Sequence, residues 1–250
     1  MVVVDAHNHL DDDRKRETFQ TADILVKRLD RFGIDTSVIM PNPLDTITRI
    51  DEPNNLILEA VKKYPERFIG FCCVNPLFKD KAVREIERCL NLGFKGIGEI
   101  VPDVYEVSAD DETIISLIRK VENFDLPILF HVGDTPYCRP RVIEKVILNL
   151  PENVIIMGHM GAWNRLVDDV ISIAKRFEKV YLDTAHVGSV AMMKKALDEL
   201  GAERIVFGSD SFTDEEMQTE LHRIEVLALA KREKNLIMSE NIVRLLKLER

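Results

Sequence analysis

The sequence lacks the features that would direct a protein into a membrane or out of the cell. Its 250 residues contain no apolar run long enough to span a bilayer. The amino terminus has no basic region followed by an apolar stretch and a small-residue cleavage site, which is the pattern of a secretory signal peptide. These absences predict a cytoplasmic protein that has no membrane partner.

Cysteine is scarce, and the four cysteines show no spacing typical of a metal-binding knuckle. Cys72 and Cys73 are adjacent on a predicted strand, so their side chains should point to opposite faces. We expect all four, including Cys89, to be reduced thiols, as in a cytoplasmic protein. Cys138 follows a predicted strand and could lie near a pocket, but we expect it to be an ordinary loop cysteine.

Positive charge is in deficit, with 34 lysines and arginines against 43 aspartates and glutamates and a formal net charge of −9. Proteins that bind nucleic acids need a basic surface to neutralise phosphates, so we expect no nucleic-acid partner. The remaining composition, with 46% hydrophobic and 31% charged residues, is that of an ordinary globular protein. A small molecule is therefore the expected partner, and a homo-oligomer is compatible with the sequence.

Short apolar stretches rich in β-branched residues recur eight times, at 2–7, 35–40, 67–74, 94–99, 126–132, 153–159, 179–184 and 204–210. They are nearly continuous apolar runs, as expected of parallel strands that are covered on both faces. Amphipathic helical patterns separate them, and those at 21–33, 81–93 and 191–201 end at glycine. No linker or repeat divides the chain, so we expect residues 1–250 to form a single domain.

Eight strands that alternate with helices predict an α/β fold, a single (β/α)8 barrel of the TIM-barrel type. The stretch SENIVRLLKL at 239–248 has a candidate cap residue in Ser239 and its own apolar stripe. It predicts a closing helix that packs on the outside. A doubly wound open sheet is the alternative, but it would normally have fewer strands, and no G-x-G-x-x-G fingerprint follows the first strand.

Polar side chains follow most of the predicted strands at their carboxyl ends, where the active sites of such barrels lie. Four of the six histidines and two carboxylates occupy these positions: His7, His9, Glu99, His131, His159 and Asp210. Imidazole nitrogen and carboxylate oxygen are ligands of zinc and of similar divalent metals. Because burying these groups together without a cation would leave several of them poorly paired, the pattern predicts a metal site.

Five strand ends carry motifs that resemble the amidohydrolase superfamily: DAHNHL at the first strand, GIGE at the fourth, FHVGD at the fifth, GHMG at the sixth and FGSD at the eighth. The details and the SENIVRLLKL tail resemble its amidohydrolase-related branch, which includes the aminocarboxymuconate-semialdehyde decarboxylase-like enzymes. The resemblance implies that a divalent metal, which we expect to be zinc, is bound by His7, His9, His131 and Asp210. Asp210 would in addition transfer a proton during catalysis.

Two further residues leave the number of metal ions open between one and two. By the resemblance, His159 binds a second ion in binuclear members and is a free acid–base group in single-metal members. Many hydrolases of the superfamily have a bridging carboxylated lysine at the fourth strand, where this chain has Glu99 and has Lys95 only earlier in the strand. A glutamate can bridge two ions directly, so Glu99 and His159 are candidate ligands. A hydrogen bond from Glu99 to a neighbouring loop or arginine is the alternative.

The activity that we expect from the resemblance is hydrolysis. A metal-activated water would attack an amide, lactone or ester-like carbon of a small substrate, with Asp210 and His159 as catalytic residues. One alternative is a metal-dependent non-oxidative decarboxylase, a lyase acting on a small unsaturated or aromatic acid, which would need one metal and a free His159. Another alternative is a phosphoesterase like the barrel deoxyribonucleases, which carry a glutamate on the fourth strand.

Other residues near the strand ends carry weaker signals. An anionic or aromatic substrate could be contacted by Arg14, Arg16, Arg139, Arg141, Trp163 or Arg165, although a solvated loop is the preferred interpretation for Arg14 and Arg16. His186 follows the seventh strand and is a candidate pocket residue. Asp5 lies on the same side of the first strand as His7, where it could support that ligand from deeper in the barrel.

Overall fold

A curled parallel sheet with helices around it is the framework of the protein. The structure is a computed structural model that describes residues 2–162 and 166–248. Within these residues the strands are β1 (Val4–Asp5), β2 (His9–Leu10), β3 (Thr36–Pro41), β4 (Phe68–Cys72), β5 (Gly96–Ile100), β6 (Ile128–Phe130), β7 (Ile155–Met157), β8 (Val180–Asp183) and β9 (Ile205–Val206). Each of the eight predicted stretches contains one strand, and the first strand resumes after a short break as β2.

Adjacent strands pair in parallel in the order β1-β3-β4-β5-β6-β7-β8-β9, and β2 also lies beside β3. Two backbone hydrogen bonds join the first and last strands. The Ala6 amide donates to the Phe207 carbonyl at 2.8 Å, and the Asp210 amide donates to the His7 carbonyl at 2.7 Å. The sheet therefore closes on itself, and the fold is the predicted (β/α)8 barrel, not an open sheet.

Helices separate the strands and surround the barrel. Within the described ranges they are α1 (Ala22–Phe32), α2 (Glu52–Lys63), α3 (Asp80–Asn91), α4 (Pro102–Tyr105), α5 (Glu112–Arg119), α6 (Pro140–Asn149), α7 (Val167–Arg176), α8 (Val190–Leu200), α9 (Asp214–Val226), α10 (Lys231–Asn235) and α11 (Asn241–Leu245). In α1 the Thr21 side chain accepts a hydrogen bond from the Ile24 amide, and Gly33 ends the helix at a φ of +67°. Among the residues described, no helix is both long and apolar enough to cross a bilayer.

Apolar side chains fill the barrel in two layers, one between the strands and the helices and one inside the barrel. The interior layer consists of Val4, Ala6, Val38, Met40, Phe71, Leu129, Ile156 and Val206, together with Ile242, Leu245 and Leu246 from the tail. At Gly96 a Cβ atom would collide with the Phe71 ring, so the glycine makes room for this large side chain. Because the interior is packed, the space for chemistry lies at the strand ends.

The carboxy-terminal helix is present, but it starts earlier than predicted. A π-helical turn at Leu236–Glu240 joins α10 to α11, so Ser239 lies inside the helical run and is not its cap. Ile242 and Leu245 belong to the interior apolar layer, so α11 covers one end of the barrel interior and not its outer wall. The buried side-chain amide of Asn241 donates to the carbonyls of Ala202 and Ile205, both at 2.7 Å.

Asn241→Ala should lower the free energy of unfolding by about 2–4 kcal/mol, because two buried carbonyl oxygens would lose their donor. Urea unfolding followed by circular dichroism measures the change. Asn91→Ala, at the exposed end of α3, is the matched control and should change this free energy by less than about 0.5 kcal/mol. Equal stabilities of the two variants would show that the Asn241 hydrogen bonds do not hold the tail in place.

Candidate metal centre

Six polar side chains meet at the carboxyl ends of the strands, in the mouth of the barrel. They are the six residues that the sequence predicts: His7 and His9 from the segment of β1 and β2, Glu99 from β5, His131 after β6, His159 after β7 and Asp210 after β9. Only His131 and Asp210 of this group are partly exposed, and the other four are buried. The structure therefore brings every predicted site residue into one cluster.

The first group of donor atoms surrounds a point between the first and last strands. His7 Nε2 and His9 Nε2 lie 3.3 Å apart, and Glu99 Oε2 lies 3.5 and 3.4 Å from them, respectively. Asp210 Oδ1 lies 3.6 Å from His9 Nε2 and 4.0 Å from His7 Nε2. Atoms bound to one metal at about 2.0–2.2 Å are separated by roughly 3–4 Å, so these four atoms can share an ion. Asp210 Oδ1 is buried without a hydrogen-bond partner, which fits an oxygen that faces a cation.

The second group of donor atoms lies on the other side of Glu99. Glu99 Oε1 is 3.1 Å from His131 Nδ1 and 3.1 Å from His159 Nε2. These two ring nitrogens are 3.0 Å apart. The two oxygens of one carboxylate thus face two separate pairs of imidazoles, an arrangement that could hold one ion beside a protonated histidine pair or two ions bridged by Glu99.

Three of the four imidazoles are oriented by acceptors behind them. In each case Nδ1 faces an oxygen that can only accept, so Nδ1 carries a proton and Nε2 points to the centre of the site. The pairs are His7 with Asp183 Oδ2 at 2.8 Å, His9 with the Pro41 carbonyl at 2.9 Å and His159 with the Ala185 carbonyl at 3.1 Å.

Asp183, at the end of β8, is a supporting residue to which the sequence analysis assigned no role. Its Oδ2 accepts from His7, and its Oδ1 accepts from the backbone amides of His159 at 2.6 Å and Ala185 at 3.3 Å. One buried carboxylate therefore positions imidazoles from two different strands. The sequence signal that could have identified Asp183 is its position at the end of a buried apolar strand, level with the predicted ligands.

Asp5 is buried and supports His7 through its backbone, because Asp5 Oδ1 accepts from the His7 amide at 3.2 Å, whereas the His7 ring is held by Asp183. Asp5 also accepts hydrogen bonds from the Ser209 amide at 2.9 Å, the Ser209 hydroxyl at 2.6 Å and the Asn8 side chain at 2.6 Å. Burial raises the pKa of Asp5 to about 6, although these donors act in the opposite direction. The role of Asp5 is to hold the first strand to the segment that carries Asp210.

Burial shifts the pKa values of Glu99 and His159 in one direction, and the neighbouring charged side chains shift them in the other. Burial would raise the pKa of the Glu99 carboxyl, but His7, His131 and His159 hold that pKa well below its usual range. Burial would lower the pKa of His159, but the hydrogen bond and charge of Glu99 raise it to about 9. A metal ion that binds here must therefore displace protons from the imidazoles.

A cavity of about 370 Å³ opens onto these donor atoms. Its floor is polar and includes His9, Glu99, His131, His159 and Asp210, whereas much of its wall is apolar and includes Pro43, Leu44, Val101, Ala162 and Phe212. The Phe212 ring stacks on His9 with the ring centroids 6.2 Å apart. A cavity of this size and lining suits a small, partly apolar molecule. His186 lines it, as the sequence suggested.

Four of the arginines proposed as substrate contacts, Arg14, Arg16, Arg139 and Arg141, do not line this cavity. Arg16 pairs with Asp11 and Asp45, Arg139 with Asp134, and Arg141 with Asp169, while Arg14 lies over the Phe19 ring. Three of these guanidinium groups are thus paired with neighbouring carboxylates. The contacts of Arg14 and Arg16 agree with the preferred interpretation of both as loop residues. Trp163 and Arg165 lie outside the described residues.

The chain belongs to the amidohydrolase family. The family model described as Amidohydrolase matches residues 4–248. Among curated proteins, the chain is similar to the gamma-resorcylate decarboxylase of Rhizobium sp. strain MTP-10005, with 23% identity in a match that covers 75% of this chain and 76% of the relative. It is also similar to the 2-amino-3-carboxymuconate-6-semialdehyde decarboxylase of Dictyostelium discoideum, with 24% identity in a match that covers 44% of this chain and 33% of the relative. These findings confirm the resemblance to the amidohydrolase-related branch.

A solved structure has the same fold. The dihydroxybenzoic acid decarboxylase of Polaromonas sp. JS666, with bound manganese and the inhibitor 2-nitroresorcinol, matches with a TM-score of 0.74 and 21% identity over 100% of this chain and 98% of that chain. At this identity the likeness shows the shared barrel fold.

The expectation of hydrolysis is contradicted by these relatives, which are decarboxylases. They favour the decarboxylase alternative over the hydrolase and over the phosphoesterase. The physical reason for the error is that imidazole and carboxylate ligands at strand ends suit a metal ion in either chemistry, so the motifs define the family without defining the bond that is broken.

In chelator-treated protein, the free energy of unfolding should fall as the pH rises from 6.5 to 9. The pKa of His159 is raised from 6.5 to about 9 on folding, so the folded state binds more protons than the unfolded chain in this interval. The stabilisation is complete below pH 6.5 and is lost as the pH rises through 9. Urea unfolding at both pH values measures the difference.

Glu99→Gln is the comparison variant for this measurement. It removes the carboxylate that raises the pKa of His159, so its stability should depend less on pH over the same interval. A slope as steep as that of the parent would contradict the assignment of the effect to the Glu99–His159 pair.

Proposed function

We propose that this protein is a metal-dependent, non-oxidative decarboxylase of a small aromatic or otherwise unsaturated carboxylic acid. The donor cluster at the floor of a small cavity with apolar walls supports the metal and the acidic substrate, and the similarity to decarboxylases is the observation that carries the reaction type. The cluster supplies ligands for a cation that can bind an acidic substrate, and the walls accept a flat apolar ring. The sequence relatives also support decarboxylation, because they are decarboxylases and the matches cover about three quarters of this chain.

The ion would be divalent, and its ligands would be His7, His9 and Asp210 with Glu99 Oε2. The Nε2 atoms of His7 and His9 each lie within 4.0 Å of Glu99 Oε2 and of Asp210 Oδ1. Asp210 Oδ1 has no hydrogen-bond partner. Imidazole and carboxylate donors without a thiolate accommodate manganese as well as zinc. The manganese in the Polaromonas decarboxylase supports manganese as a candidate beside zinc.

When bound, the ion would hold the oxygen atoms of the substrate and withdraw negative charge from them. The protein side chains would manage the proton. Decarboxylation breaks the bond between the ring carbon and the carboxylate carbon, carbon dioxide leaves, and the electron pair left on the ring carbon must accept a proton. His159 is suited to supply it, because Glu99 keeps this imidazole protonated and both side chains line the cavity. Asp210 is the second candidate, since it lies at the same cavity floor.

The protein should release carbon dioxide from 2,6-dihydroxybenzoate or a related hydroxylated benzoate in the presence of manganese or zinc. Substrates labelled with ¹³C in the carboxyl group identify the gas, and deuterium from heavy water should appear on the ring carbon that lost it. His159→Asn and Asp210→Asn should each lower kcat by about 10²–10⁴-fold, because proton transfer contributes on this order. His222→Asn, on the exposed side of α9, is the control and should have normal activity.

Two results would contradict this proposal. One is a complete lack of carbon dioxide release from a panel of hydroxylated benzoates and unsaturated acids with both metals. The other is release at an unchanged rate by both the His159 and Asp210 variants, since the reaction would then take place elsewhere.

Asp183→Asn should weaken metal binding by about 10–100-fold, because it disturbs the acceptor that orients His7 and the His159 backbone. Competition with a fluorescent chelator measures the affinity. Asp198→Asn, on the exposed face of α8, is the matched control. Equal affinity of the Asp183 variant and the parent would show that the ligands hold their geometry without this support.

A further inference from the structure

A second set of metal-ligating side chains lies on the far side of His131. Asp103 at the start of α4, His131 after β6 and Cys138 in the following loop each offer a ligand atom, and these atoms lie within 4.8 Å of one another. This accessory cluster shares His131 with the candidate metal centre, but its other two members do not line the cavity described above.

Gly133 shows which side of the His131 ring the accessory cluster uses. A Cβ atom on Gly133 would stand 3.2 Å from His131 Nε2 and 3.5 Å from Cys138 Sγ. Both atoms therefore border the same small space, which the absence of a side chain keeps open. The opposite ring nitrogen, Nδ1, faces Glu99 and His159. The two clusters thus use different nitrogens of one imidazole.

The other two members have free coordinating capacity. Asp103 Oδ2 is buried and has no hydrogen-bond partner. Cys138 is fully buried, and its sulfur lies 3.3 Å from the Thr135 hydroxyl. Burial and the neighbouring Asp103 raise the pKa of the Cys138 thiol to about 12, so an ion that binds here must displace the thiol proton. A buried carboxylate oxygen without a partner is costly, and a cation bound between these groups would satisfy it.

We propose that His131 Nε2, Cys138 Sγ and Asp103 Oδ2 form an accessory site for a thiophilic divalent ion, zinc in particular. Thiolate, imidazole and carboxylate together are a zinc donor set, whereas manganese favours oxygen donors and would avoid the sulfur. The candidate metal centre contains no sulfur ligand, so the two sites differ in the metals that they select. This proposal stands without the proposed function.

The shared ring can serve both sites. A neutral imidazole has one protonated nitrogen and one lone pair. An ion on Nε2 fixes the proton on Nδ1, so His131 can then donate to Glu99 Oε1. Binding at the accessory site is therefore compatible with the ligand set proposed for the catalytic ion, which does not include His131.

Cobalt is the probe for the accessory site. Co²⁺ bound to a thiolate has a charge-transfer absorption band in the near ultraviolet, which cobalt bound to nitrogen and oxygen alone lacks. Titration of the manganese-loaded protein with Co²⁺ should produce this band in the parent. The band should be lost in Cys138→Ser and should need more cobalt in Asp103→Asn. Cys89→Ser is the matched control, because Cys89 is equally buried but lies on α3, and it should keep the band.

The folding of Cys138→Ser is checked by circular dichroism. Absence of the cobalt band, or its persistence in Cys138→Ser, would overturn the accessory site whether or not a substrate is found. Failure of the protein to release carbon dioxide would contradict the proposed function and leave the cobalt result to decide on the site.

Discussion

The buried carboxylate of Glu99, which faces four imidazoles, is the interaction on which the rest of the site depends. An ionised carboxylate without water around it needs compensating positive charge or strong donors. The barrel supplies them from four directions: His7 and His9 face one oxygen, and His131 and His159 face the other. Those rings must in turn stay in place, and Asp183 with two backbone carbonyls holds three of them from behind. The polar centre is therefore organised in shells around a single side chain, above an interior that is packed with apolar residues.

Much of this architecture could be predicted from the sequence, because parallel strands and ligands leave local signals. A strand buried on both faces must be apolar over several residues, so all eight strands were visible as short runs, and a histidine or aspartate directly after such a run lies at the same rim of the barrel as the others. Contacts between distant residues leave no such signal. The support of His7 by Asp183 depends on 176 residues of intervening chain, and the pairing of Arg16 with Asp45 depends on how two loops fold. The cap assigned to Ser239 failed for a related reason, since the helix starts upstream and passes through a π-helical turn at this residue.

The reaction was the least predictable property. A metal bound by imidazole and carboxylate can promote attack on a carbonyl carbon or departure of carbon dioxide, and the same ligand motifs serve both. The difference between these reactions lies in the walls of the cavity and in which group supplies a proton, and both depend on loops with irregular structure. Leu44, Phe212 and Ala162 come from three separate loops, and their meeting over one floor is visible only after the barrel has closed.

The hydrogen bonds between Asp5 and Ser209 join residues that are 204 positions apart, and His7 and Asp210 lie directly beside them. The two histidines are therefore synthesised well before their aspartate partner. Until the segment with Asp210 has been made, a nascent chain can offer its histidines only as separate, weak ligands. The complete chelating centre forms when β9 docks beside β1, so tight metal capture would coincide with closure of the barrel.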